Sequence, residues 1–434
     1  MKKNAMVISV CGLLLLSIAA VPAAVFAEEY TLDDLYRIAL ARSEILKVAE
    51  ENLVIAKIGK EKAFSFLLPR MTATAGVTQF TERKFNSAGS LIQPERASSW
   101  GVEISETFSL SGRELTALEI AKQFVAKGSY DVAALREDYL LRFVAAGYYN
   151  VLMARKVLEI AESNLARLSK YRDAAEKRLR IGEVTKTALL RAEGELSGAK
   201  SDRLQALNGL ELAMAVLARN VGIAAGFTLR EAGAAEGDIP AMETFREKAL
   251  AMRADLKSLE VQKQIAADQT KFAEGAFWPT VSASAGYNGA DQTPGASSLN
   301  RESIFGGVAL NFPFFEGGLR KAEVSEAKAR ERQAALFYED LRKEIGIEVQ
   351  TAYLDLITQR GVLRFLDDQV VFARDNYQAV ARQFDFGLSN SLDILDANTL
   401  LVSSETKAAS AVYNYRLALL RMKKATGMLL RSEP

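Results

Sequence analysis

The chain repeats itself, and that constrains its fold more than any other feature. Residues 39–77 align with 249–287 at a constant offset of 210, and thirteen of those 39 positions are identical: Ala39, Leu40, Ala41, Leu46, Lys47, Glu50, Ile55, Ala56, Ala63, Pro69, Ala73, Ala75 and Gly76. Further on, Gly101, Val102 and Gly112 match Gly307, Val308 and Gly318 at an offset of 206. Tyr148, Gly182 and Gly222 then match Tyr353, Gly387 and Gly427 at 205. A tandem duplication of this length requires one plan built twice and packed against itself. The first repeat covers 28–225 and the second 241–434, joined by the Gly- and Ala-rich segment 226–240. The small drifts in offset are expected to fall in loops.

Each copy follows the same order. A helical stretch, 31–66 or 242–276, stops before Pro69 or Pro279, because proline lacks a backbone donor and restricts the residue ahead of it. Two short strands follow. In the first copy Ala73, Ala75 and Val77 alternate with Thr72, Thr74 and Thr78, and Trp100, Val102 and Ile104 alternate with Glu103, Ser105 and Thr107. In the second, Val281, Ala283, Ala285 and Tyr287 alternate with Ser282, Ser284 and Asn288, and Val308, Leu310 and Phe312 with Ala309 and Asn311. Period two with one apolar and one small polar face predicts strands; the polar segments 82–99 and 289–302 between them read as loops.

Two proline-free runs come next, 113–180 and 319–385, each about 100 Å long if helical throughout. They end near Gly182 and Gly387 and return to Gly222 and Gly427. The first returning segment sets Leu189, Leu196, Leu210 and Leu217 against Ala192, Ala199, Ala206 and Ala213, with only Arg203 out of character. The second reads Ile394, Ala397, Leu401, Ser404, Ala408, Ala411, Tyr415, Ala418 and Met422. Large residues alternating with Ala or Ser at period 3.5 predict antiparallel coiled-coil hairpins. The fold class is mainly α with a small β part.

Composition narrows function by exclusion. The chain has no histidine, so it lacks the commonest general base and metal ligand. Its single cysteine, Cys11, lies in an apolar leader, which removes disulfides, thiolate metal sites and cysteine nucleophiles from the mature chain. With 55 basic against 54 acidic residues, nothing in the charge suggests nucleic acid as a partner. No acid–base pair in distinct environments suggests an enzyme, and no cofactor or metal is implied. Residues 1–27 read as an export signal: Lys2 and Lys3, an apolar run from Val10 to Val21, and the small-residue spacing of Val25-Phe26-Ala27. After it no apolar run approaches the roughly 20 residues of a spanning helix.

Four amphipathic strands have two open edges, which a membrane does not tolerate, and a spanning barrel needs about eight strands or more. On strand count, two chains would supply 8, three 12 and four 16. The alternative is a secreted oligomeric coiled-coil stalk in which the strands form a small soluble sheet.

Along nearly the whole mature chain the sequence resembles the TolC-type outer membrane efflux proteins. The likeness rests on the duplicated plan and on local motifs. These are Phe312-Pro313-Phe314-Phe315-Glu316-Gly317-Gly318 at a strand-to-helix junction, Ala352-Tyr353-Leu354-Asp355-Leu356, and Asp393-Ile394-Leu395-Asp396-Ala397 separated from Gly387 by five residues. The resemblance implies a homotrimer with a 12-stranded barrel in the outer membrane and a periplasmic helical tunnel. It also implies a periplasmic adaptor and an inner-membrane RND or ABC transporter as partners. The duct would be passive and gated at the helix tips.

Asp393 and Asp396 lie three apart and share a helix face, so three chains would converge their carboxylates at the tunnel mouth; helix capping is the competing role for Asp393. The family ties its closed tip with an arginine and a tyrosine on this hairpin and an aspartate on the other. Here those positions hold Ser389, Phe384 and Ala188, so Lys186 and Arg191 are expected to pair with the aspartates instead. Gly182, Val184, Gly387, Leu388 and Ser389 form the candidate adaptor-docking tips. Trp100, Val102, Ile104, Val308, Leu310 and Phe312 are the candidate lipid-facing residues, with Phe314 and Phe315 completing an interfacial aromatic girdle.

Overall fold

The structure, a computed structural model, describes residues 29–231, 238–295 and 299–430. The expected export signal, Cys11 and part of the linker lie outside the described residues. In the first copy, strand β1 (Glu29–Tyr30) leads into α1 (Leu32–Arg42), whose start is fixed by a capping box between Thr31 and Asp34. The helix breaks at Ser43, whose hydroxyl caps α2 (Glu44–Ser65). After Pro69 come β2 (Arg70–Gln79), a small hairpin of β3 (Lys84–Phe85) and β4 (Leu91–Gln93), and β5 (Arg96–Ser109). Then α3 (Arg113–Tyr139), a π-helical turn (Leu140–Ala145) and α4 (Ala146–Arg180) run out to the tip at Gly182. Helix α5 (Lys186–Val221) returns, and β6 (Thr228–Leu229) pairs in parallel with β1.

The second copy repeats this with α6 (Met242–Met252), a break at Arg253, and α7 (Ala254–Glu274). It continues with β7 (Thr280–Thr293), β8 (Glu302–Asn311), an unbroken α8 (Leu319–Asp385) and α9 (Ser391–Ala425). No described helix is long and apolar enough to cross a membrane.

One antiparallel sheet joins the copies in the order β2-β5-β7-β8. Its register aligns Ala73, Val102, Tyr287 and Ile304 in one row and Thr74, Gly101, Asn288 and Ser303 in the next, so one face is apolar and the other small and polar. The helices keep the same lateral order. Beside the sheet the packing runs α2-α3-α7-α8, and towards the tips α5-α4-α9-α8. The first copy therefore occupies one lateral edge of the protomer and the second copy the other, along its whole length. Strands β2 and β8 lie at the two edges, each paired on one side only among the described residues.

The heptad seams are the inner faces of the hairpins. Leu196, Leu217, Ala192, Ala199 and Ala213 are buried, and the misfit Arg203 reaches across its hairpin to Glu162 at 3.1 Å. In α9 all the seam residues are buried except the half-buried Tyr415.

Two expectations need correction. The segments 82–99 and 289–302 are not wholly loops: β5 begins at Arg96 and β7 continues to Thr293, because ladder hydrogen bonds carry the strands beyond their apolar stretch. The change of offset from 206 to 205 does not fall in a loop either. It lies between Gly112 and Tyr148, inside the helical run, where the extra residue of the first copy is absorbed as the π turn Leu140–Ala145.

Candidate functional site at the hairpin tips

Both tips use the same backbone. Gly182 and Gly387 adopt φ of +78° and +74°, and the N–H of the following residue, Glu183 or Leu388, reaches back to the carbonyl of Arg178 or Gln383 at 2.9 and 2.8 Å. This is the left-handed closure that favours glycine. Leu388 is 78% exposed, and Ile181 and Phe386, which open the two tip segments, are exposed at 69% and 80%. Val184 and Ser389 are half-buried.

Asp393 takes up the capping role. Its carboxylate accepts from the Asn390 N–H and the Ser389 hydroxyl, both at 3.1 Å, while the Asn390 side chain accepts from the Leu392 and Asp393 N–H groups. Asp396 is exposed and makes no side-chain hydrogen bond among the described residues. Lys186 and Arg191 are exposed as well, and within the chain neither forms an ion pair with Asp393 or Asp396. The expected pairing is thus not made inside one protomer.

What joins the two hairpins is different. Phe384 is buried, 3% exposed, in a cluster with Leu168, Tyr171, Ala175, Leu196, Ile394 and Leu395. The Arg178 guanidinium lies 4.4 Å over its ring and donates to the Asp385 carbonyl at 2.9 Å. The Tyr171 hydroxyl donates to the Ser391 carbonyl at 3.3 Å, and burial pushes its pKa up. Further from the tip Arg167 donates to Asn398, which in turn donates to Asn164. The arginine and tyrosine of this latch thus stand on the first hairpin. The sequence reading missed them because their acceptors are backbone carbonyls, which leave no complementary residue to find. Asn398 and Arg167 could have been suspected as polar residues within apolar helix faces.

A second polar joint sits at the waist. Arg253 is only 5% exposed; it pairs with Asp255 at 2.6 Å and with Glu348, which also accepts from Lys424 at 2.9 Å. Burial works against the ionised forms of Asp255 and Glu348, but hydrogen bonds and charge from Arg253 and Lys424 outweigh it and hold both below the usual carboxylate range. Nearby, burial raises the Glu137 pKa against the lowering effect of the Leu430 N–H.

On the sheet, Trp100, Val102, Ile104, Val308 and Leu310 project from the apolar face, and Phe312, just beyond β8, continues their alternation. All six are exposed in the protomer. Trp100 packs edge-on to Tyr287 at 5.1 Å and lies over Gly289, where a Cβ would come within 2.3 Å of the indole. Phe314 and Phe315 are among the most exposed side chains, at 89% and 80%. Among the described residues no cluster of acidic, His or Cys side chains is placed to hold a metal ion.

A strip of paired hairpins surmounted by an open-edged amphipathic sheet is the fold of outer membrane channel protomers. The Campylobacter jejuni CmeC outer membrane channel superposes with a TM-score of 0.82 at 18% identity, over 93% of this chain and 87% of that one. Residues 245–428 match the outer membrane efflux protein family. The outer membrane protein TolC of Vibrio cholerae is 24% identical over 406 residues, 89% of this chain and 90% of that protein. The outer membrane efflux protein BepC of Brucella suis is 23% identical over 385 residues, 85% and 84% of the two chains. By fold and by these sequence matches the chain is similar to the TolC-type outer membrane efflux proteins.

Proposed function

We propose that the protein is a trimeric exit duct that carries cargo passively from the periplasm across the outer membrane, gated at its helix tips. The observation that carries this reading is the constant lateral order. The sheet and both tiers of helices each place the first copy at one edge and the second copy at the other. Such a strip is built for head-to-tail association, which closes into a ring. The outermost helices support this: α8 leaves Leu336, Phe337, Ile347 and Leu354 exposed, while α2 leaves Val48 and Ile55, and α5 leaves Leu204 and Leu212. Joining β8 of one chain to β2 of the next removes the open edges, and three copies give 12 strands.

In that assembly Trp100, Val102, Ile104, Val308, Leu310 and Phe312 face lipid. Gly182, Val184, Gly387, Leu388 and Ser389, with Ile181 and Phe386, meet a periplasmic adaptor. An inner-membrane RND or ABC transporter supplies the energy and selects the cargo. Asp393 and Asp396 gather at the mouth and favour cations. Phe384 anchors the gate from within.

The test is single-channel conductance of the purified protein in a planar bilayer. Cation-selective pores sensitive to a trivalent cation on the periplasmic side are expected. A folded oligomer that never conducts would overturn the duct and favour a stalk.

A further inference from the structure

The polar face of the sheet is not uniform. Across β2, β5, β7 and β8 the residues that alternate onto it are Ser, Thr, Asn, Gln, Ala and Gly, with three exceptions: Arg70 at the start of β2, Glu103 on β5 and Phe305 on β8. Two of the three share one row. The register sets Thr72 opposite Glu103, Glu103 opposite Gly286, and Gly286 opposite Phe305.

Gly286 is what makes this row a site. A Cβ there would lie 2.6 and 2.7 Å from Cε1 and Cζ of Phe305 and 3.0 Å from the Val102 carbonyl oxygen, so the ring reaches across β7 through space that only glycine leaves open. Its far end is therefore one strand spacing, about 5 Å, from β5, which carries Glu103. Phe305 remains 37% exposed, Glu103 is exposed, and this carboxylate makes no ion pair among the described residues. Covering a strand glycine with an aromatic ring stabilises a sheet, and Trp100 does the same over Gly289 on the apolar face. That face is the candidate lipid surface. On the polar face, by contrast, Phe305 turns apolar surface to water beside a lone carboxylate.

We propose that Glu103 and Phe305 form a recognition site, on the inner wall of the barrel, for organic cations that carry an aromatic or apolar body. The carboxylate pairs with the cationic group, and the ring takes the apolar body against its face. The inference rests on the proposed duct, in which the polar face lines the lumen and three copies of the row surround it. Both groups are open to solvent, so each contact is weak. Weak, repeated sites hold cargo briefly and let it leave, which suits a passage.

Block of single-channel current in a planar bilayer tests it, with tetraphenylphosphonium as the aromatic cation and tetramethylammonium as a cation without a ring. Tetraphenylphosphonium should block wild-type pores at the lower concentration. Glu103→Gln and Phe305→Leu should each raise its half-blocking concentration by about threefold or more. Gly286→Ala keeps both groups but displaces the ring, and should weaken block as Phe305→Leu does. Glu106→Gln removes the same charge from the same strand but from the opposite face, and should leave block unchanged. Equal block by the two cations overturns the proposal while leaving the duct in place. So does block that Glu103→Gln and Phe305→Leu do not weaken, or that Glu106→Gln weakens as much as Glu103→Gln. If Phe305→Leu or Gly286→Ala fails to assemble, the isosteric Glu103→Gln set against Glu106→Gln decides. A wild type that forms no pores would instead remove the duct itself, and this inference with it.

Discussion

The two long helical runs start from matching glycines and end at matching glycines, yet one is interrupted and the other is not. Between Gly318 and Gly387 α8 is continuous, whereas between Gly112 and Gly182 the first copy carries one more residue and a π turn. The difference follows from position in the strip. The first run is internal: its upper half packs between α2 and α7 and its lower half between α5 and α9. One added residue turns the helix by about 100°, which lets each half present an apolar face to a different pair of neighbours. On either side of the turn, Tyr139 donates to the Asn220 carbonyl at 2.7 Å and Tyr148 to the Arg230 carbonyl at 2.6 Å, pinning both phases. Helix α8 lies at the edge, has neighbours on one side within the chain, and needs no such correction.

Breaking this contrast should have the largest effect. Deleting Phe143 from the π turn makes the first run the same length as the second. It puts the two halves out of phase by about 100°. Loss of the assembled oligomer on native gels is expected, whereas deleting a residue from the edge helix near Ile347 should be tolerated better. Equal tolerance at both sites would show that the π turn carries no packing role.

The waist offers a second contrast. Ser43 and Arg253 occupy equivalent positions at the break between paired helices, and both are buried. Ser43 only caps a helix, while Arg253 ties α7 to α8 and to the Ala425 carbonyl at the end of α9. In the first copy the corresponding reach is made one residue earlier, by Arg42 to the Gly222 carbonyl at 2.8 Å. Arg253→Ala strands the partly buried Asp255 and Glu348 and should destabilise by about 3–5 kcal/mol, against roughly 1 kcal/mol for Ser43→Ala. Thermal unfolding of the two variants side by side measures the difference.

At the tips, Arg178→Gln removes a charged hydrogen bond and the cation over Phe384, a loss of about 2 kcal/mol. Hydrogen exchange should quicken at 384–396 with the waist unchanged; uniform change would place the latch elsewhere.

The smallest effect concerns pH. Asp255 and Glu348 have lowered pKa values, so their contribution is present above the usual carboxylate range and is lost as pH falls through it, below about 4. Glu137 has the opposite sign: its pKa is raised, so its ionisation weakens the waist as pH rises. Glu137→Gln should therefore raise the melting temperature at neutral pH and do so less near pH 4. A constant increment would mean that Glu137 does not titrate in the folded waist.

Much of the architecture was legible because duplication doubled every signal. Pro69 and Pro279, Gly182 and Gly387, and the alternating strands each appear twice. What escaped was whatever the copies do differently. The π turn was hidden in a one-residue drift that loops would absorb as easily. Arg253 stands where its counterpart is a serine, and its partner Glu348 is remote in sequence. Lys186 and Arg191 were legible as charges, but their expected partners are not reached within one chain. At the tip, Phe384 was read as a lost hydrogen-bonding position, and its buried contacts with Tyr171 and Arg178 were not foreseen.

The proposed duct depends on a strip that closes head to tail, and electron microscopy of the purified oligomer in lipid tests this most directly. It predicts three protomers around one axis, β8 of each paired with β2 of the next in a 12-strand barrel, and α8 beside the neighbour's α2 and α5. A two-fold assembly pairing like edges, or a ring whose sheets stay separate, would contradict it.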